Sequence, residues 1–336
     1  MPAVRLIHVE DSLPGISRER INDGWRYRDA KGILIRNAAE IRRLNAIALP
    51  PAYEDAWFCP DPNGHILATG YDARGRKQYR YHPKFRLAQE ASKFDRCAAF
   101  GHALPQLRAK LDSDLARRTL CRERIVGAVV RLLDLAALRV GNEEYAEANK
   151  SFGATTLRQR HASLSGRTLY LSYRAKGGAK RKVTISDRHL VTLVRRLQDL
   201  PGQHLFQYED DETLCAVGSS DVNAYIRAAM GEDFSAKHFR TWSASVEAFA
   251  FLHGASEPPT MKAMLAHVSA WLGNTPAVAR KAYVHPAMLA EVQKRTNFQA
   301  VVGPLPRATK YLSRYERGFL AFIDSAPDTA SLLSSA

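Results

Sequence analysis

Residues 56–82, AWFCPDPNGHILATGYDARGRKQYRYH, run as short stretches of alternating apolar and polar side chains broken by Gly, Pro, Asn and Asp, and the pattern stops at His82-Pro83. Alternation punctuated by turn residues is the mark of short antiparallel strands. Upstream, GWRYRD (24–29) and GILIRN (32–37) read the same way, so residues from about 22 to 82 form a small sheet. In its last strand Gln78, Tyr79, Arg80 and Tyr81 alternate, which puts Tyr79 and Tyr81 on one face.

Downstream the period changes. Ile125, Val129, Leu132, Leu133 and Ala136 recur at spacings of three and four before Arg139, as on a helix with one buried face. One interruption stands out: Leu169, Leu171 and Tyr173 alternate, Gly177-Gly178 supplies a tip, and Val183 and Ile185 alternate again, a hairpin with Lys176 beside its turn. Helix starts are expected at Ser220-Asp221 before Val222, at Ser235 before Phe239, and at Thr275-Pro276, which puts Tyr283 about two turns in. The expected class is α+β with two domains. Residues 1–86 form a small, mainly antiparallel β domain, and residues 87–336 a larger, mainly α-helical domain carrying a β-hairpin, with a loose tail after about residue 325.

Composition narrows the partner. Forty-nine Lys and Arg against 34 Asp and Glu give a net charge of +15, which favours a polyanion, nucleic acid before anionic membrane. The hydrophobic share of 46% and charged share of 25% are those of an ordinary globular chain. No run approaches the roughly 18 to 20 apolar residues of a membrane span, and MPAVRLIHVEDSLPG lacks an apolar signal core, so a cytoplasmic location is expected. Cys59, Cys97, Cys121 and Cys215 form no CxxC pair and read as reduced core residues. His102, His161, His189 and His267 have no metal-ligand spacing. With no GxxxxGK[ST] loop and no compact carboxylate cluster suited to Mg²⁺, neither cofactor nor metal is expected.

Four segments place a cation or a tyrosine where phosphoryl chemistry can use it: LRVGNEEYA (138–146), YRAKGGAK (173–180), KHFRTW (237–242) and GNTPAVARKAY (273–283). The order Arg139, Lys176, Arg240, Tyr283 resembles the type IB DNA topoisomerases of the small bacterial and poxvirus-like kind and, more distantly, the tyrosine recombinases. The resemblance covers nearly the whole chain, because DARGRKQYRYHP (72–83) also looks like the family's DNA-clamping domain.

Physical chemistry supports the comparison. Phosphoryl transfer to a tyrosine adds charge to the non-bridging oxygens, and two permanently charged, planar guanidinium groups, Arg139 and Arg240, suit it. Tyr283 as nucleophile conserves the phosphodiester energy in a phosphotyrosyl ester, so no ATP is needed. The leaving 5′ oxygen needs a proton, for which Lys176 on the hairpin tip is the choice, although Lys180, Arg181 and Lys182 are local rivals. The resemblance implies attachment to the 3′ phosphate and rotation of the 5′ end before resealing. Where the viral pattern reads GHTP this chain has Gly273-Asn274-Thr275-Pro276, so Asn274 enters the site as a neutral donor.

The resemblance further implies that Gln78, Tyr79 and Tyr81 face the major groove, that Tyr145 contacts DNA, and that Lys237, in a KxxR pattern with Arg240, meets a phosphate. The expected partner is double-stranded DNA, clamped by a monomer associated with the nucleoid. Each residue also has an ordinary reading: Arg139 complementing a helix dipole, Lys176 as a solvated turn lysine, Arg240 on a helix surface, Tyr283 in the core, Asn274 in a turn. Two rivals stand beside the enzyme. A tyrosine recombinase usually shows HxxR, whereas here Lys237 lies three before Arg240 and His238 is at the wrong offset. A non-enzymatic basic DNA-binding protein would share the charge and form no covalent adduct.

Overall fold

The computed structural model describes residues 5–22, 24–211, 213–231 and 233–334. The chain divides into two compact units at Ser92/Lys93, and the boundary expected at 86/87 falls inside a helix that continues across the division.

The first unit is an antiparallel sheet of β1 (Ile16–Ile21), β2 (Gly24–Arg28), β3 (Glu54–Phe58), β4 (Ile66–Tyr71) and β5 (Lys77–Tyr81), in the order β2-β1-β3-β4-β5, with α1 (Ala38–Ala46) between β2 and β3. Ile16, Tyr27, Leu44, Leu49, Phe58 and Ala68 make its core. GILIRN is not a full strand. Only Leu34 bridges back, to Arg28, and Asn37 turns its side chain to cap α1 by accepting from the amides of Ala39 and Glu40. The alternation of β5 is realised: Tyr79 and Tyr81 stack with ring centroids 5.7 Å apart and stay exposed.

α2 (Pro83–Leu115) leads into the second unit, which contains α3 (Arg122–Ala136), α4 (Glu143–Asn149), β6 (Ala162–Ser165), β7 (Thr168–Arg174), β8 (Lys180–Ile185) and α5 (Arg188–Gln198). A short pair, β9 (Gln207–Asp210) and β10 (Thr213–Ala216), precedes α6 (Ser219–Met230), α7 (Ala236–Gly254), α8 (Met261–Leu272) and α9 (Pro276–Ala282). α10 (Pro286–Lys294), α11 (Phe298–Val302), α12 (Arg314–Asp324) and α13 (Thr329–Ser334) follow. The apolar face of α3, from Ile125 to Ala136, is buried against α6 and α7, and α7 in turn packs on α8 and α12. α13, in the tail expected to be loose, packs on α10.

The expected hairpin is β7–β8, and β6 adds a third antiparallel strand that its four residues, ASLS, gave no pattern to foresee. Strand parity sorts its side chains: Leu169, Leu171, Tyr173 and Ile185 are buried and Arg181 and Val183 half-buried, while Lys180 and Lys182 are exposed. Among the described residues no helix is long and apolar enough to cross a membrane.

Candidate active site

Three separate turns of the second unit converge on one cavity of about 330 Å³. The first follows α3, which ends at Ala137 in the left-handed conformation (φ 48°), so that Arg139 lies beyond the helix and not in its last turn. Main-chain bonds from Ala154 to the Arg139 carbonyl (2.8 Å) and from Thr155 to the Val140 carbonyl (2.7 Å) pin this segment. They require a close approach at Gly153, where a Cβ would come within 2.6 Å of the Arg139 carbonyl oxygen. Glycine is therefore dictated by the passage of one backbone against another.

The second turn is the hairpin tip. Gly177 (φ 82°) and Gly178 (φ 78°) take left-handed conformations, the Ala175 amide bonds to the Ala179 carbonyl (2.8 Å), and exposed Lys176 lines the cavity. Lys180 lines a different groove of about 740 Å³ with Lys150, Arg160 and Arg174, and no carboxylate shares its wall. Arg181 faces inward, so parity separates the rivals that the sequence left level.

The third turn joins α8, α9 and α10. Gly273 is the left-handed C-cap of α8 (φ 62°), Thr275 accepts from the Val278 amide, and Pro276 begins α9, as the Thr-Pro pair predicts. α9 lasts only to Ala282, so Tyr283 is its C-cap (φ −133°) and presents the phenol from the end of the helix. Ser245 of α7 holds this turn: its hydroxyl accepts from the His285 amide (3.0 Å), and its one proton is shared between the carbonyls of Thr241 (2.8 Å) and Tyr283 (3.3 Å). Lys93 bonds to the Ala282 carbonyl, its ammonium 5.9 Å from the Tyr283 ring centroid.

Arg240, 4% exposed, ties the three together. Its guanidinium donates to the carbonyls of Ala137 and Leu272 (3.2 Å) and sits 4.7 Å from the Tyr283 ring centroid. Burial raises the pKa of that phenol, but the adjacent Arg240 guanidinium, then the charges of Arg139 and Lys176, outweigh it and leave Tyr283 below the usual tyrosine value. Burial and the nearby charges of Arg139 and Arg181 push the Arg240 guanidinium down, the mark of like charges gathered without a carboxylate.

The cavity wall holds Arg139, Lys176, Lys237 and Arg240 around Tyr283, with Tyr145 of α4 beside them and no acidic residue. Asn274 is not in that wall. It is half-buried, and its side-chain nitrogen and oxygen, both buried, have no hydrogen-bond partner among the described residues. Gln78, Tyr79 and Tyr81 belong to the first unit, where Gln78 donates through Nε2 to Asp72 (3.0 Å). Asp72 also takes the Arg76 guanidinium, whose bond holds its carboxyl down at about 2. The sequence reading left Arg181 as an unresolved rival of Lys176 and did not name Lys93. Arg181 was legible in principle, since it shares strand parity with Val183 and Ile185; for Lys93 nothing local distinguishes it along α2. Among the described residues, no group of three or more His, Cys, Asp or Glu is arranged to hold a metal ion.

Residues 82–300 match the family described as the eukaryotic DNA topoisomerase I catalytic core, and residues 24–72 the bacterial DNA topoisomerase IB N-terminal domain. The chain is 30% identical over 301 residues to a DNA topoisomerase 1B of Acanthamoeba polyphaga mimivirus, covering 85% of this chain and 90% of that one. It is 24% identical over 228 residues to a DNA topoisomerase 1 of Mycosarcoma maydis, covering 61% of this chain and about a fifth (21%) of that longer protein. Among solved structures, the XerH site-specific recombinase bound to a palindromic difH substrate in a post-cleavage complex superposes at TM-score 0.37 and 17% identity, over 54% of this chain and 47% of that one. A pre-cleavage complex of XerH gives 0.36 and 15%, over 67% and 59%. At these scores the superpositions bear on nothing further.

Proposed function

The chain belongs to the type IB DNA topoisomerases, and from that premise we propose that it relaxes supercoiled double-stranded DNA by cutting and resealing one strand through Tyr283. The observation that carries this reading is the acid-free cavity in which Arg139, Lys176, Lys237 and Arg240 surround the Tyr283 phenol. A wall of cations with no carboxylate suits a phosphodiester and no neutral substrate.

With a backbone phosphate in the cavity, the Tyr283 oxygen attacks phosphorus as its proton leaves to water, helped by the cations that already favour the phenolate. An O(Tyr)–P bond forms, the P–O5′ bond breaks, and Lys176 gives the departing 5′ oxygen its proton. Arg139 and Arg240 meet the charge that grows on the non-bridging oxygens. Asn274 adds a neutral donor, and its two buried, unpartnered amide atoms support that role. The 3′-phosphotyrosyl ester keeps the energy of the broken bond, so the free 5′ end rotates and resealing runs the step backwards without ATP or metal. Lys237 meets a flanking phosphate and Tyr145 contacts the duplex beside it.

Residues 1–86 serve as the clamping domain, with Gln78, Tyr79 and Tyr81 toward the major groove; the exposed, stacked tyrosine pair supports this. Residues 87–336 carry the chemistry, and one chain suffices to enclose the duplex. We place the enzyme in the cytoplasm, on the nucleoid. Plasmid relaxation without ATP or Mg²⁺, with a denaturant-resistant protein–DNA adduct that disappears in Tyr283→Phe, tests the reading. An adduct that persists in the Phe variant refutes the choice of tyrosine, and failure to relax DNA refutes the activity.

A further inference from the structure

We infer that Arg181 is a positioning residue: it docks the hairpin carrying Lys176 onto the end of α8, next to Asn274, and so sets where the proton donor stands. The inference rests on the reading of Lys176 as the general acid.

Arg181 lies on β8 opposite Tyr173, five residues after Lys176. Its guanidinium leaves the strand and donates to the carbonyls of Ala270 (3.3 Å) and Trp271, the last turn of α8. A helix C-terminus offers unpaired carbonyls and a partial negative charge, so it suits a cation. Gly273 fits the same contact, since a Cβ there would lie 2.9 Å from an Arg181 nitrogen. The next amide, of Asn274, closes the turn onto Ser269 (3.1 Å).

The docking has a cost that marks it as more than a chance surface contact. Arg181 has no carboxylate partner among the described residues, and it shares a small pocket with Arg139 and Arg240. Three guanidinium groups in one place repel each other, and a lysine or arginine serving only solubility would point outward, as Lys180 and Lys182 do. The tip itself supplies little restraint. Between Arg174 and Lys180 it is closed by the bonds from Ala175 to Ala179 and from Gly178 to Ala175, across two left-handed glycines. The β7 side is held by the Phe152 amide on the Arg174 carbonyl (2.7 Å). On the β8 side the side chain of Arg181 does that work.

A proton donor displaced by about an ångström loses on the order of 100-fold in rate, and a leaving group that needs no proton should not feel the loss. The test compares single-turnover cleavage by wild type, Arg181→Ala, Arg181→Lys, Lys176→Ala and the double Ala variant. Each is given nicked-duplex substrates with an oxygen or a sulfur at the scissile 5′ position. Arg181→Ala should slow cleavage of the oxygen substrate by on the order of 100-fold. The sulfur substrate should bring it back near the wild-type rate, and the double variant should be no slower than Lys176→Ala alone. Arg181→Lys, which still reaches a carbonyl, should recover part of the rate. Hydrogen exchange should show faster amides at 175–182 in Arg181→Ala and no change elsewhere.

If sulfur cures Lys176→Ala and leaves Arg181→Ala slow, Arg181 acts on the phosphate or the fold and the inference is overturned. If sulfur cures neither, the acid role of Lys176 fails, and the docking then stands or falls on hydrogen exchange at the tip. Unchanged exchange there overturns it in either case.

Discussion

Replacing Arg240 with alanine tests the central geometry most directly. The wild-type guanidinium bonds the Ala137 and Leu272 carbonyls, sits 4.7 Å from the Tyr283 ring centroid, and its Nε has no partner among the described residues. Losing one preorganised donor to the developing oxyanion costs about 2.7–4 kcal/mol, a 10²- to 10³-fold fall in cleavage. The phenol suffers a second effect. Burial raises its pKa and Arg240 is the largest opposing influence, so without it the Tyr283 pKa moves up and the rising limb of the pH–rate profile shifts to higher pH. The combined fall at neutral pH should reach about 10³-fold or more. Two carbonyls left unpaired cost about 1–3 kcal/mol each, an upper bound where the emptied space admits water. Melting should thus drop by several degrees while the chain stays folded at 25 °C. Single-turnover cleavage of a nicked duplex from pH 5 to 10, with circular-dichroism melting alongside, measures all three. A folded variant whose rate falls by less than roughly tenfold, or whose rising limb does not move, refutes the assignment of Arg240 to both phosphate and phenol.

Three further outcomes follow from packing and charge. Gly153→Ala forces a Cβ against the Arg139 carbonyl, so the Arg139 segment must shift; cleavage should fall well beyond what a loss of about 1–3 kcal/mol in a urea melt implies, and equal activity counts against a fixed Arg139. Glu316 accepts from Arg108, from Trp242 and from the Ser313 amide; burial raises its pKa, but Arg108 outweighs that and holds it below the usual glutamate value. A depressed carboxylate stabilises above its unfolded pKa and loses that contribution as pH falls through the folded one. Asp134 stays on Arg108, so Glu316→Gln should cost about 1–3 kcal/mol at pH 7, a cost that shrinks as the pH falls through the folded pKa of the carboxyl, in parallel urea melts. Burial pushes His238 and His285 down to about 4 from 6.5. The unfolded chain takes up their protons first, so stability present above pH 6.5 is lost toward pH 4, by up to about 1.4 kcal/mol per pH unit per histidine. His285→Asn, which keeps an acceptor for the α10 cap, should flatten that slope, and an unchanged slope would exclude His285 as a source.

Periodicity made the two-part architecture legible, because a change from period two to three and four is written in local sequence around His82-Pro83. It also gave the hairpin and the Thr275-Pro276 helix start. What it could not give was nonlocal. β6, β9 and β10 have four residues each, too few to show a period, and GILIRN yielded its last residue to the cap of α1. Tyr283 was expected two turns into a helix. The helix stops at that point, and the stop is set by Ser245 and Lys93 from other helices. Arg139, Lys176, Arg240 and Tyr283 were named from their order, and their convergence is a property of packing that no spacing encodes. Arg181 stood in the sequence only as a rival of Lys176, level with Lys180 and Lys182, because the variable that separates them is which face of β8 each occupies.

The partners of the cations explain why this site is both assembled and vacant of acid. Arg181 and Arg240 are held by main-chain carbonyls at the ends of α3 and α8. A carboxylate in their place would neutralise the charge that a phosphate must meet, and would have to be displaced when DNA arrives. A carbonyl fixes the geometry and leaves the formal charge intact. The repulsion among Arg139, Arg181 and Arg240 is then relieved by the anion itself, so the same three groups that make the empty site electrostatically unfavourable make the occupied one favourable. It follows that raising the salt should weaken phosphate binding in this site less steeply than binding along the exposed groove of Lys150, Arg160, Arg174 and Lys180, where each cation already faces water.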